Sequence, residues 1–129
     1  MAQKSVYIRF QVPKETVDKI YQLLQVAKDT GKLRKGTNES TKAIERGIAK
    51  LVVIAEDVEP PQVVAHLPIL CDERKIPYLY VPSKLELGKS AGLDVGSAAI
   101  SVIEPGEASN SLKDLSNAFD SLRKSGAGK

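Results

Sequence analysis

Leu51-Val52-Val53-Ile54-Ala55 is the longest clean apolar run in the chain, and Glu56-Asp57 closes it at once. A strand with one wet face would alternate apolar and polar residues. An unbroken, β-branched run of five therefore predicts a strand covered on both faces. A sheet covered in that way needs helices above and below it.

The rest of the chain supplies helices in alternation with strands. Pro13 suits the first turn of a helix, Val17, Ile20, Tyr21, Leu24 and Ala27 follow at helical spacing, and Gly31 stops the run. Lys32 to Lys35 reads as a short basic strand or extended link. Gly36-Thr37-Asn38 reads as a turn and helix N-cap. The helix opening at Asn38 is expected to bury Ala43, Ile44 and Ile48 and to end near Gly47. Pro60-Pro61 predicts a third helix, with Val63, Val64, Leu67 and Leu70 inward and Asp72 to Lys75 solvated. Pro77 to Val81 reads as a second buried strand, and Pro82-Ser83 as the start of a short fourth helix. Gly88 and Gly92 bracket a predicted surface loop, LGKSAGLDV. Ala98 to Ile103 is the last strand. A final helix from about Ser109 to Lys124 aligns Leu112, Leu115, Phe119 and Leu122, ahead of a frayed tail at 125–129. With no internal repeat and no long linker, residues 1–129 are expected to form one domain. The fold class is α/β: a three-layer α/β/α sandwich around a central mixed sheet of about four strands.

Composition sets limits on function. At 42% hydrophobic residues the chain can build a real core, and a net charge of +3 leans towards an anionic partner. A single cysteine, Cys71, excludes an internal disulfide and any all-cysteine metal site, which fits a reducing, cytoplasmic setting. The opening MAQKSVYIRF has no apolar core of a signal peptide, and no run is long enough to cross a membrane.

Several motifs fail as catalytic sites. Gly88-Lys89-Ser90 looks like the end of a phosphate-binding loop, but the glycine required five positions earlier is Ser83, and Gly92 interrupts the helix that should follow. Glu56, Asp57 and Glu59 lie past a buried strand, where open α/β sheets often bind ligands. No second acidic or histidine cluster completes a metal or acid–base site. Asp57 or Glu59 reads better as favouring the start of the Pro60 helix. His66 falls within an apolar helix and reads as a packed or rim residue, and Cys71 as a small core hydrophobe. No nucleophile–base pair is visible and no cofactor is implied, so the chain is not expected to be an enzyme.

Residues 36–46, GTNESTKAIER, carry more information. Lys42 lies four residues from Asn38, three from Glu39 and four from Arg46, which puts an amide, a carboxylate, an ammonium and a guanidinium on one helical face. Such a set can read base edges and phosphates beside a helix N-terminus that favours anions. Taken alone, the stretch is equally a capped surface helix. The scarcity of aromatics, with no tryptophan and two phenylalanines, argues against base-stacking capture of single strands. A nucleic-acid ligand would have to be recognised by its folded shape.

The runs LRKGTNESTKAIERGIAKLVVIAEDVEPP and IPYLYVPSKLELGKSAGLDVG closely resemble the archaeal large-subunit ribosomal proteins of the L-seven-Ae type, the kink-turn RNA-binding family. The resemblance runs in order from about residue 13 to 104. It implies a three-layer α/β/α fold and binding to a sharply bent RNA with tandem sheared G·A pairs. It also implies that Asn38, Glu39 and Lys42 read the guanines of those pairs, and that Leu93, Asp94 and Val95 form an apolar–acidic–apolar loop against the extruded nucleotide. Lys35, Thr37, Arg46 and Lys84 become the phosphate neighbours, and Gly36 joins the RNA-binding residues. Asp94 departs from the glutamate usual in archaeal relatives. The partners implied are ribosomal RNA, box C/D and H/ACA guide RNAs and ribonuclease P RNA, with a Nop-type scaffold protein and fibrillarin in the guide-RNA particle. A free monomer and no membrane association are expected. The competing reading is the substrate-binding module of an RNA-modifying enzyme. It needs a cofactor site and a second domain, and the sequence shows neither.

Overall fold

The strands and helices alternate as expected in a computed structural model that describes residues 8–127. Helix α1 (Lys14–Thr30) follows Pro13 and buries Val17, Ile20, Leu23, Leu24 and Ala27. Strand β1 (Lys32–Lys35) leads into α2 (Thr37–Glu45), β2 (Leu51–Ala55), α3 (His66–Arg74), β3 (Tyr78–Val81), α4 (Lys84–Ser90), β4 (Ala99–Glu104) and α5 (Ser109–Ala127). Single 3₁₀ turns sit at Pro61–Val63 and Gly106–Ala108. The sheet is mixed, in the order β1-β4-β2-β3. β2 and β3 are parallel, whereas β4 runs antiparallel to both β1 and β2. Helix α1 packs with α4 and α5, and α2 with α3, so the sheet lies between two helical layers. All five residues of β2 are buried, as its unbroken run requires.

Some expectations fail for identifiable reasons. Helix α2 ends at Glu45 and the chain turns through Gly47 at φ 73°, which takes Ile48 off the buried stripe and leaves it 38% exposed. Pro60-Pro61 starts only a 3₁₀ turn. The α-helical period begins at His66, so Val64 and Leu67 are buried while Val63 is exposed and Leu70 only half-buried. Asp72 is not solvated: it is the partner of Arg9 and lies 3.6 Å from Arg123. The predicted loop at LGKSAGLDV begins late, because α4 runs through Gly88 to Ser90. The final helix continues to Ala127; residues 1–7 of the N-terminal arm and 128–129 of the tail lie outside the described residues.

Phe10, Tyr78, Tyr80 and Phe119 pack as one aromatic cluster, with ring centroids 4.8 Å apart for Tyr78–Phe119 and 5.1 Å for Phe10–Tyr80. Cys71 is fully buried as a small core hydrophobe. Burial, helped by the nearby Asp72 carboxylate, pushes its thiol up to about 12. Burial raises the Tyr78 and Tyr80 phenols as well. The ordinary values are 9.0 for the thiol and 10.0 for a phenol. The folded state thus keeps protons that the unfolded chain releases, so this stability is complete below about pH 9 and is lost as pH rises above it. Thermal melts across the alkaline range should show a midpoint that holds to about pH 9 and then falls. A midpoint unchanged to pH 11 would contradict this.

Candidate functional site

The sheet topology gathers the candidate residues. β1, β2 and β3 all point the same way and β4 points back, so one end of the sheet receives the exits of three strands and the start of the fourth. α2, the Glu56–Glu59 segment, α4 and the 91–98 segment all lie there. Ligands of open α/β sheets favour this end.

Gly36 caps α2 with φ 99° and ψ 161°, a backbone conformation open to glycine and strained for other residues. Its N–H donates to the Ala99 carbonyl at 2.8 Å, which ties the start of α2 to the start of β4. No side chain caps the helix. Sequence spacing suggested a capping role around Asn38; instead the Asn38 side chain is exposed and makes no hydrogen bond among the described residues. The first-turn N–H groups therefore remain open to an anion.

Glu39 stands between two cations. Its Oε2 is 3.6 Å from Lys42 Nζ and its Oε1 is 4.0 Å from Arg34 Nη1, with all three side chains about half exposed. Pairs this exposed are worth only about 0–1 kcal/mol, so they orient the carboxylate without locking it. Arg34 is the residue that sequence reasoning missed. It sits on β1, and helical spacing could not bring it to a face of α2. Lys35 ends β1 and is exposed, and Thr37 begins α2. Arg46 is not in the first turns: it is the C-cap of α2, about 12 Å along the axis from Asn38. Its helical φ and ψ continue the face, at the end where the helix dipole favours a cation. The Thr41 hydroxyl gives its one proton to the Thr37 carbonyl at 2.8 Å, so His66 Nε2, also 2.8 Å away, supplies the proton of the second bond. That contact fixes α2 against α3, and half-buried His66 has a rim role.

The second element is held tightly. Leu93 N–H donates to the Gly88 carbonyl at 2.9 Å, and Ser97 N–H to the Lys84 carbonyl at 2.9 Å. The segment between them lies against α4 where Gly88 has no side chain. A Cβ there would overlap the Val95 carbonyl oxygen and stand 3.1 Å from Gly96 Cα. Leu93 is half-buried, Asp94 is exposed and Val95 is 66% exposed. Lys84, the first residue of α4, is exposed, and its backbone N–H donates to Asp57 Oδ1 at 2.9 Å. Asp57 thus caps α4, not the segment starting at Pro60 as its sequence position suggested.

Among the described residues no group of three or more His, Cys, Asp and Glu side chains is arranged to hold a metal ion. No helix among them is long and apolar enough to cross a membrane. A cleft of about 480 Å³ opens at the opposite end of the sheet, beside Cys71, Asp72, Pro77 and Phe119. It lies away from the α2 face, where Asn38, Lys42 and Arg46 are exposed.

The fold is similar to that of a solved structure, the Giardia lamblia 15.5kD RNA binding protein. The TM-score is 0.83 and the identity 28%, over 90% of this chain and 96% of that one. The model of the Ribosomal protein L7Ae/L30e/S12e/Gadd45 family, which describes ribosomal and RNA-binding proteins rather than enzymes, matches residues 18–112. That stretch takes in β1 to β4 and every candidate residue, and the chain belongs to this family.

Proposed function

We propose that this protein is a non-catalytic RNA-binding protein that recognises and stabilises kink-turns carrying tandem sheared G·A pairs. The observation that carries this reading is the set of exposed Asn38 and Lys42 with half-exposed Glu39 on the first turns of α2, beside a helix N-terminus with no side-chain cap. Lysine and asparagine donate to guanine O6 and N7, and a carboxylate accepts from guanine N–H donors. Membership of the family and the likeness to an RNA-binding protein support the same conclusion. Leu93, Asp94 and Val95 pack on the extruded nucleotide and its neighbours. Lys35, Gly36, Thr37, Arg46 and Lys84, joined by Arg34, meet phosphates.

A bent RNA crowds its phosphates. A protein that binds only the kinked form shifts the RNA population towards it by its preference for that form. The helix N-terminus and the basic residues offset the repulsion. On this reading the protein works in the cytoplasm, as a large-subunit ribosomal component and the RNA-shaping subunit of box C/D and H/ACA guide-RNA particles and of ribonuclease P; the resemblance to archaeal relatives supports it. Nop-type scaffold protein and fibrillarin are then its neighbours in the box C/D particle. Residues 1–129 act as one RNA-binding domain, monomeric when free.

The test is a titration against a kink-turn RNA and a copy whose two sheared G·A pairs are replaced by Watson–Crick pairs. Losing two base-read positions should weaken binding at least about 10-fold. Equal, salt-sensitive affinity for both RNAs would reduce the protein to a mildly basic non-specific binder.

A further inference from the structure

Asp57 belongs to none of the groups assigned above, yet it joins them. The ladder between β2 and β3 extends to Glu56, whose N–H donates to the Val81 carbonyl at 2.8 Å, so Asp57 stands one residue past the rigid centre of the sheet. Its Oδ1 accepts from the Lys84 N–H at 2.9 Å. The Lys84 carbonyl in turn accepts from Ser97 N–H at 2.9 Å. Gly96 packs closely on the same residue, since a Cβ on it would lie 3.3 Å from the Lys84 carbonyl oxygen. Ser83 Oγ accepts from Glu86 N–H at 3.2 Å, so α4 has its own N-cap as well. Asp57 does something different from that local cap, because its bond ties α4 to the end of the central strand β2.

We propose that Asp57 is the positioning residue of the Leu93–Val95 loop, holding it beside α2 through the backbone of Lys84. The role needs a hydrogen-bond acceptor and not a charge. A carboxylate on an RNA-facing surface repels phosphates, so geometry and not charge accounts for its place here. The proposal rests on the RNA reading for its functional consequence, whereas its structural half stands apart from any ligand.

The experiment compares Asp57→Ala with Asp57→Asn in the full chain. Amide hydrogen exchange of the free protein reports the pin itself. Asp57→Ala should speed exchange at Lys84, Leu93 and Ser97 by about 2- to 30-fold, the range set by losing a side-chain cap. Asp57→Asn, which keeps Oδ1, should restore protection. The second readout is the ratio of affinities for the kink-turn RNA and its Watson–Crick copy, which cancels the effect of removing one negative charge. The ratio should fall in Asp57→Ala and hold in Asp57→Asn. Unchanged exchange in Asp57→Ala, or an asparagine variant that behaves like alanine in both readouts, overturns the proposal. If wild type shows no preference between the RNAs, the RNA reading fails and the exchange data still decide whether Asp57 is the pin.

Discussion

Gly88→Ala is expected to destabilise the protein and displace the Leu93–Val95 loop, although alanine ordinarily improves a helix interior by about 0.5–1 kcal/mol. The sign reverses because the new Cβ meets backbone: the Val95 carbonyl oxygen and Gly96 Cα occupy its place. Backbone held by the Leu93–Gly88 and Ser97–Lys84 hydrogen bonds cannot step aside as a flexible side chain would. Overpacking of this kind costs about 1–3 kcal/mol, which outweighs the helix gain over most of that range. Denaturant melts should therefore show Gly88→Ala less stable than wild type. Lys89→Ala, at the exposed neighbouring position, should stay within about 0.5 kcal/mol of it. A variant as stable as wild type would mean that the loop has room to move. Under the proposed function the displacement also weakens RNA binding, since Val95 is drawn away with the backbone.

Glu39→Ala is expected to act in opposite directions on two RNAs. Against the intact kink-turn it removes the acceptor for guanine N–H donors and should weaken binding about 5- to 150-fold, the equivalent of about 1–3 kcal/mol. Against the Watson–Crick copy it removes a negative charge and releases Lys42 and Arg34, now 3.6 and 4.0 Å from the carboxylate, towards phosphates. Binding there should hold or tighten. The fold should survive, because exposed ion pairs contribute little. Titrating both RNAs at one salt concentration separates the alternatives: tighter binding to both would make Glu39 a mere counter-ion for its basic neighbours, and base reading by this side chain would be abandoned.

What the sequence disclosed depended on periodicity. The β2 run, the α1 and α5 stripes and the spacing of Asn38, Glu39 and Lys42 are all local patterns, and the corresponding elements form where expected. The failures lie where a period stops or where partners come from separate elements. Ile48 and Val63 were placed in the core by extending a helical repeat past Glu45 and backwards before His66. Gly88 reads in the sequence as one edge of the loop LGKSAGLDV, and only the packed 91–97 segment shows why nothing larger fits at that point of α4. Arg34 reaches Glu39 across the β1–α2 turn at Gly36, five residues away but outside any single helical period, whereas Asp57 at Lys84 depends on β2 and β3 ending at the same edge of the sheet.

The mixed sheet also imposes an order of events on the chain as it is made. β1 is an edge strand whose neighbour in the sheet is β4, and the Gly36 N–H at the head of α2 is bonded to Ala99, more than sixty residues further along. Closing so long a loop is entropically costly, and its reward comes only when β4 is available. A nascent chain that has emerged as far as α4 already contains Asn38, Glu39 and Lys42, but lacks β4, the strand to which the head of α2 is bonded. The helix that carries the proposed base-reading residues is therefore among the first elements synthesised and among the last to be secured.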